Sequence, residues 1–184
     1  MGHMEATKIS NIFSPNELKI LELGIESSDK IIDQEYGRQM GKTIKSAKVL
    51  YGKLESIAED IYGYPLVLSS IMFAKYSGEF GLPNLPPHFD NDHHELIINF
   101  QLSSNTSWDI GIGFDLYALE DNSAVVFNPN ELAHWRPHKK FNDEEYVSMI
   151  FFRFMKPGHD PNILFQKRDS KTIDKIYQIR DKVM

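Results

Sequence analysis

The stretch Leu85-Pro86-Pro87-His88-Phe89-Asp90-Asn91-Asp92-His93-His94-Glu95 packs three histidines and three carboxylates into eight residues. Imidazole and carboxylate are sulfur-free ligands for divalent metals. His88 and Asp90 are one residue apart, so on an extended segment both side chains fall on the same side. The Pro-Pro pair ahead of them brings that segment to a rim where an ion stays accessible. A third ligand is offered by Glu131-Leu132-Ala133-His134-Trp135-Arg136-Pro137, where His134 ends an apolar strand pattern. Two imidazoles and one carboxylate on one face of an ion, with the other positions open, suit non-haem Fe(II).

Rival ligands are present. Asp92, His93 and His94 lie within the same stretch, but His93 and His94 point to opposite faces if extended, so at most one joins easily. They read as a polar rim. His138 competes with His134, yet it follows a proline and precedes Lys139-Lys140, a loop composition. Zinc also accepts His and Asp. Three protein groups without sulfur suit Fe(II) better.

The elements that must position these residues follow from periodicity. Ser14-Pro15-Asn16-Glu17 is a helix start with a capping box. Its apolar face runs through Leu18, Leu21 and Ile25. Met40, Ile44, Ala47, Leu50, Leu54, Ile57 and Ile61 recur at helical spacing and predict a second, longer helix ending before Gly63-Tyr64-Pro65. From Leu66 the pattern changes to strands: 67–76, 96–103, 109–112, 114–119, 123–127, 132–136 and 146–154. In the second of these, Ile98, Phe100 and Leu102 suit a core. Ile97, Asn99, Gln101 and Ser103 suit either a wet pocket or a solvated face. Residues 170–182 predict a short C-terminal helix. Two helices followed by short strands predict an antiparallel double-sheet barrel, a jelly roll of the double-stranded β-helix (cupin-like) kind, with both helices packed outside.

Length and composition bound the rest. A chain of 184 residues suits one domain, with residues 67–155 as its barrel and Met1-Gly2-His3 as a tag remnant outside the metal argument. The absence of cysteine excludes disulfides and thiolate chemistry and fits a reducing, cytoplasmic setting. A net charge of −6 argues against nucleic acid or an anionic membrane as partner. No apolar run reaches the roughly 18 residues of a membrane span.

The barrel pattern with His88-x-Asp90 and His134 resembles the Fe(II)/2-oxoglutarate-dependent dioxygenases, nearest to the small prolyl-hydroxylase-like members. The resemblance covers about half the chain. It implies that His88, Asp90 and His134 hold Fe(II), that 2-oxoglutarate and O2 take the open positions, and that a substrate C–H bond is hydroxylated with release of succinate and CO2. A carboxylate at Asp90, where similar halogenases carry a small residue, favours hydroxylation. In Ala74-Lys75-Tyr76-Ser77-Gly78, the resemblance gives Tyr76 to the distal carboxylate of 2-oxoglutarate. Gln101 and Ser148 are further cosubstrate contacts on the same ground, the latter within Tyr146-Val147-Ser148-Met149-Ile150-Phe151-Phe152, which looks like the last barrel strand. Asn99, Trp108 and His93 are substrate-side candidates, with Trp135 and Tyr117 as further pocket walls.

One departure matters. Similar enzymes place Arg or Lys at the start of the last strand to grip that distal carboxylate; here Glu144-Glu145 stands there. From Tyr76 through Trp135 there is no Lys or Arg. Arg136, two residues after His134, points to the ligand's side on a strand and is the favoured cation, with Arg153 second. The alternative to an oxygenase is a cupin-like metal-binding protein or isomerase without 2-oxoglutarate. The substrate expected is a small molecule or peptide. The acidic stretch from Glu79 to Glu131 favours a neutral or cationic one.

Overall fold

In a computed structural model of the chain, residues 5–42, 44–90, 94–159 and 170–181 are described, with the side chain of Ser170 excluded. Met1, Gly2 and His3, and likewise Asp92 and His93, fall outside the described residues. Strand β1 (Thr7–Ser10) leads to helix α1 (Pro15–Glu26). The capping box forms as its sequence requires: the Ser14 amide donates to Glu17 Oε2 at 2.7 Å, and the Glu17 amide donates to Ser14 Oγ at 3.4 Å.

The second helix is shorter than its periodicity predicts. Strands β2 (Ile31–Asp33) and β3 (Arg38–Gly41) come first, then a 3-10 turn (Lys45–Leu50) and α2 (Tyr51–Tyr62). Met40 therefore belongs to a strand. It pairs with Ala74 across the sheet and is buried on the barrel side, so cross-strand pairing overrides the local helical spacing. Helix α2 stops where Gly63 takes a left-handed φ of 79° and its amide donates to the Glu59 carbonyl.

The remaining strands are β4 (Val67–Ser77), β5 (Leu96–Ser104), β6 (Ile110–Ile112), β7 (Asp115–Tyr117), β8 (Ser123–Phe127), β9 (His134–Trp135) and β10 (Tyr146–Met155). Helix α3 (Ser170–Arg180) follows. Pairing is antiparallel throughout and builds a seven-stranded sheet, β1-β8-β5-β10-β4-β3-β2, facing a three-stranded sheet, β7-β6-β9. This is the jelly roll with helices outside. Among the described residues no helix is long and apolar enough to cross a membrane.

Alternation along β5 and β10 divides the interior in two. Ile98, Phe100, Leu102, Ile150, Phe152 and Phe154 face α1, the 3-10 turn and α2, where Leu21, Ala47 and Leu54 are fully buried. Ile97, Met149 and Phe151 face the small sheet with Tyr76, Trp108 and Phe127. Asn99 shares that second face and lines a cavity, so the polar side of β5 turns inward to a site.

Candidate metal centre

The two ligand-bearing segments are hydrogen-bonded to each other. The His88 amide donates to the His134 carbonyl at 3.1 Å and the His134 amide returns to the His88 carbonyl at 2.8 Å. Asp90 is held from the other side, its amide on the Pro129 carbonyl at 3.0 Å. These contacts aim three side chains at one point: His88, Asp90 and His134 offer ligand atoms that all lie within 4.8 Å of one another.

Tautomer and spacing fit a metal. His88 Nδ1 lies 2.8 Å from the Pro86 carbonyl, which can only accept, so Nδ1 carries the proton and Nε2 keeps its lone pair. His88 Nε2 and His134 Nε2 stand 3.7 and 3.6 Å from the same oxygen, Asp90 Oδ1. Those separations exceed hydrogen-bond reach, as donors converging on an ion between them require. His134 and Asp90 are mostly buried, whereas the His88 side chain is 38% exposed and keeps one side of the site open.

The triad opens on a cavity of about 50 Å³ lined also by Arg38, Met72, Tyr76, Leu85, Ile97, Asn99, Phe151 and Arg153. Asn99 Oδ1 is buried there without a hydrogen-bond partner among the described residues. The Tyr76 hydroxyl accepts from Arg38 Nη1 at 3.3 Å, and Arg38 also pairs with Asp33 at 2.9 Å. Burial works to depress the Arg38 pKa, but Tyr76 and Asp33 outweigh it and hold it above its ordinary value. Arg38 belongs to the β2–β3 hairpin, two residues ahead of Met40, where the helical stripe begins. Its sequence signals are the pair Ile31-Ile32 and the turn glycine Gly37, too weak to place it opposite Tyr76, 38 residues on.

The other expected site residues divide. Arg136 is 1% exposed and does not line the cavity. Its guanidinium lies 4.6 Å over the Trp108 ring and donates to the Trp108 carbonyl and the Met149 sulfur. Burial lowers its pKa to about 10. Trp108 stands edge-on to Tyr76 at 5.1 Å, so Arg136 sits one side chain behind the cavity wall.

Gln101 is buried too, but its amide nitrogen already serves Ser104, Asp121 and the Leu119 carbonyl, beyond the cavity. Ser148 alternates between Val147 and Met149, both interior, and so faces the opposite side. Trp135 and Tyr117 do not wall the cavity: the indole packs on Gly111, and the phenol reaches the Ala6 carbonyl at 3.5 Å. Glu145 bonds Thr106 and the Asn142 amide, which turns it outward. His94, expected on the rim, is buried.

No protein-family model and no curated sequence matches the chain. Solved structures do. An oxidoreductase of the 2OG-Fe(II) oxygenase family from Burkholderia pseudomallei superposes with a TM-score of 0.65 at 10% identity, over 86% of this chain and 88% of that one. The chain has the fold of the 2-oxoglutarate/Fe(II) oxygenases. HygX from Streptomyces hygroscopicus, solved with nickel, 2-oxoglutarate and hygromycin B, gives 0.64 at 10% identity over 85% and 84% of the two chains. SnoN from nogalamycin biosynthesis, a non-haem α-ketoglutarate-dependent epimerase, gives 0.65 at 12% over 89% and 90%. Prolyl hydroxylases are among the further matches.

Proposed function

We propose that this protein is an Fe(II)- and 2-oxoglutarate-dependent oxygenase that hydroxylates a C–H bond of a small molecule or peptide. The observation that carries the reading is the convergence of His88, Asp90 and His134 on one point of a cavity in this fold. Iron with 2-oxoglutarate and O2 supplies the oxidation and releases succinate and CO2.

The chain's own residues do the rest. His88 and His134 give neutral nitrogens and Asp90 the single negative oxygen, which leaves the ion a net positive charge to hold an anionic cosubstrate. Asp90 fills the position a halide would need, which favours hydroxylation. Arg38, which lines the cavity and donates to the Tyr76 hydroxyl, stands beside the place for the far carboxylate of 2-oxoglutarate. Arg136, a buried cation with no salt bridge to any described carboxylate, reaches that carboxylate only as the Trp108 wall gives way. Asn99 presents its buried oxygen to a donor in the cavity. A cavity of about 50 Å³ takes an ion and a water or two, so a five-carbon dicarboxylate enters only as flexible linings such as Met72 and Arg153 give way.

The test is optical. Anaerobic Fe(II) plus 2-oxoglutarate gives a weak visible charge-transfer band with the wild-type protein, and Asp90→Ala abolishes it. Wild-type protein that binds iron and shows no band is instead a cupin-like metal protein that does not use 2-oxoglutarate.

A further inference from the structure

Phe89 stands between His88 and Asp90 and turns the other way. Its ring joins Ala133, Trp135, Ile173, Ile176 and Ile179 in a small apolar cluster. The same alternation holds on β9, where Ala133 and Trp135 flank His134. Both metal-bearing segments therefore show ligands to the cavity and apolar neighbours to α3, whose Ile176 is fully buried.

Arg180, in the last turn of α3, is 3% exposed. Its Nε donates to the Arg136 carbonyl at 2.9 Å and its Nη2 to Asn84 Oδ1. The Arg136 amide in turn donates to the Leu85 carbonyl at 3.0 Å. One guanidinium thus joins the chain just after His134 to the chain just before His88. Apolar docking of a helix needs no buried cation, and burying one carries a desolvation cost that apolar contacts avoid. The placement of its donors on these two segments is what the cost obtains.

We infer that α3 is the back plate of the metal centre and that Arg180 is a positioning residue, fixing the separation of the two ligand-bearing segments. Docking of α3 and binding of the ion are then coupled, and by linkage the ion tightens α3 by the factor with which α3 tightens the ion. This rests on the His88, Asp90 and His134 centre proposed above.

The test uses Co(II) alone, under anaerobic conditions, read by its d–d absorption. Arg180→Ala weakens Co(II) binding about tenfold, the lower end of the range for outer-shell partners. Arg180→Lys recovers part of it, because an ammonium still reaches the Arg136 carbonyl. In wild-type protein, Co(II) slows amide hydrogen exchange across α3 and leaves α1 unchanged; this arm decides the matter if Arg180→Ala does not fold. Wild-type binding that Arg180→Ala leaves equal, or α3 exchange indifferent to Co(II), overturns the inference while the metal centre stands. Wild-type protein that takes up no Co(II) overturns the centre and the inference together.

Discussion

The guanidinium of Arg136 lies 4.6 Å over the indole of Trp108, and its described hydrogen bonds go to the Trp108 carbonyl and the Met149 sulfur rather than to a carboxylate. A buried cation hydrogen-bonded only to neutral groups is costly, and burial lowers its pKa to about 10. At pH 7 it stays protonated. The folded-state pKa is below the unfolded one, so the cost is fully present below pH 10 and fades as pH rises from 10 towards the ordinary arginine value.

Arg136→Met therefore leaves the Tm of the metal-free protein unchanged or raises it, by the equivalent of about 1–4 kcal/mol, as for other buried charges exchanged for apolar groups. The same variant binds 2-oxoglutarate weaker by roughly 10- to 100-fold, the equivalent of one or two lost charge-assisted bonds, with Fe(II) affinity nearly unchanged. Calorimetry and titration of the charge-transfer band check the two halves. A fall in Tm with normal 2-oxoglutarate binding would assign the charge to structure instead.

Tyr76→Phe separates the hydroxyl from the ring. The ring keeps its edge contact with Trp108, and Arg38 keeps Asp33. Stability drops by about 0.5–1.5 kcal/mol, the usual net worth of one hydrogen bond, and 2-oxoglutarate affinity falls by a similar increment. Denaturant unfolding beside the same optical titration measures both.

Gly111→Ala strikes the small sheet. A Cβ there meets Trp135 Cε2 at 2.2 Å, and Trp135 adjoins His134. Overpacking of this kind costs about 1–3 kcal/mol, which lowers Tm by several degrees in a chain of this length. Metal affinity falls with it, because the indole has to move along the strand that carries a ligand. A differential scan with and without Ni(II) reads both effects.

Ni(II) at roughly 100 times its Kd stabilises the wild-type protein by about 2.7 kcal/mol through mass action. Asp90→Ala loses that metal-induced rise in Tm, and Asp90→Asn, which keeps an oxygen without the charge, retains part of it. An equal rise in Asp90→Ala would move the ion elsewhere.

Much was legible in the residue order. Ser14 and Glu17 mark the start of α1, and Gly63 marks the end of α2, because caps are local chemistry. The strands from β4 to β10 follow from alternation, with their ends shifted by a residue or so in most cases and by two in the short β7 and β9. The β2–β3 hairpin was not legible: Met40 falls in step with a helical stripe, and only β4 waiting alongside makes it a strand. Arg38 was lost with it.

The sequence by itself determined that His88 and Asp90 share a side, that a jelly roll carries them, and that the cation cannot come from between Tyr76 and Trp135. Those are matters of period and composition. Tertiary structure alone decided that β9 pairs with His88, that Arg38 reaches the cavity while Arg136 lies behind it under Trp108, that Gln101 is spent on Ser104, Leu119 and Asp121 beyond the cavity, and that Ser148 faces away from the metal site. Each of these depends on which strand lies next to which, and alternation tells a residue only its side, not what stands opposite.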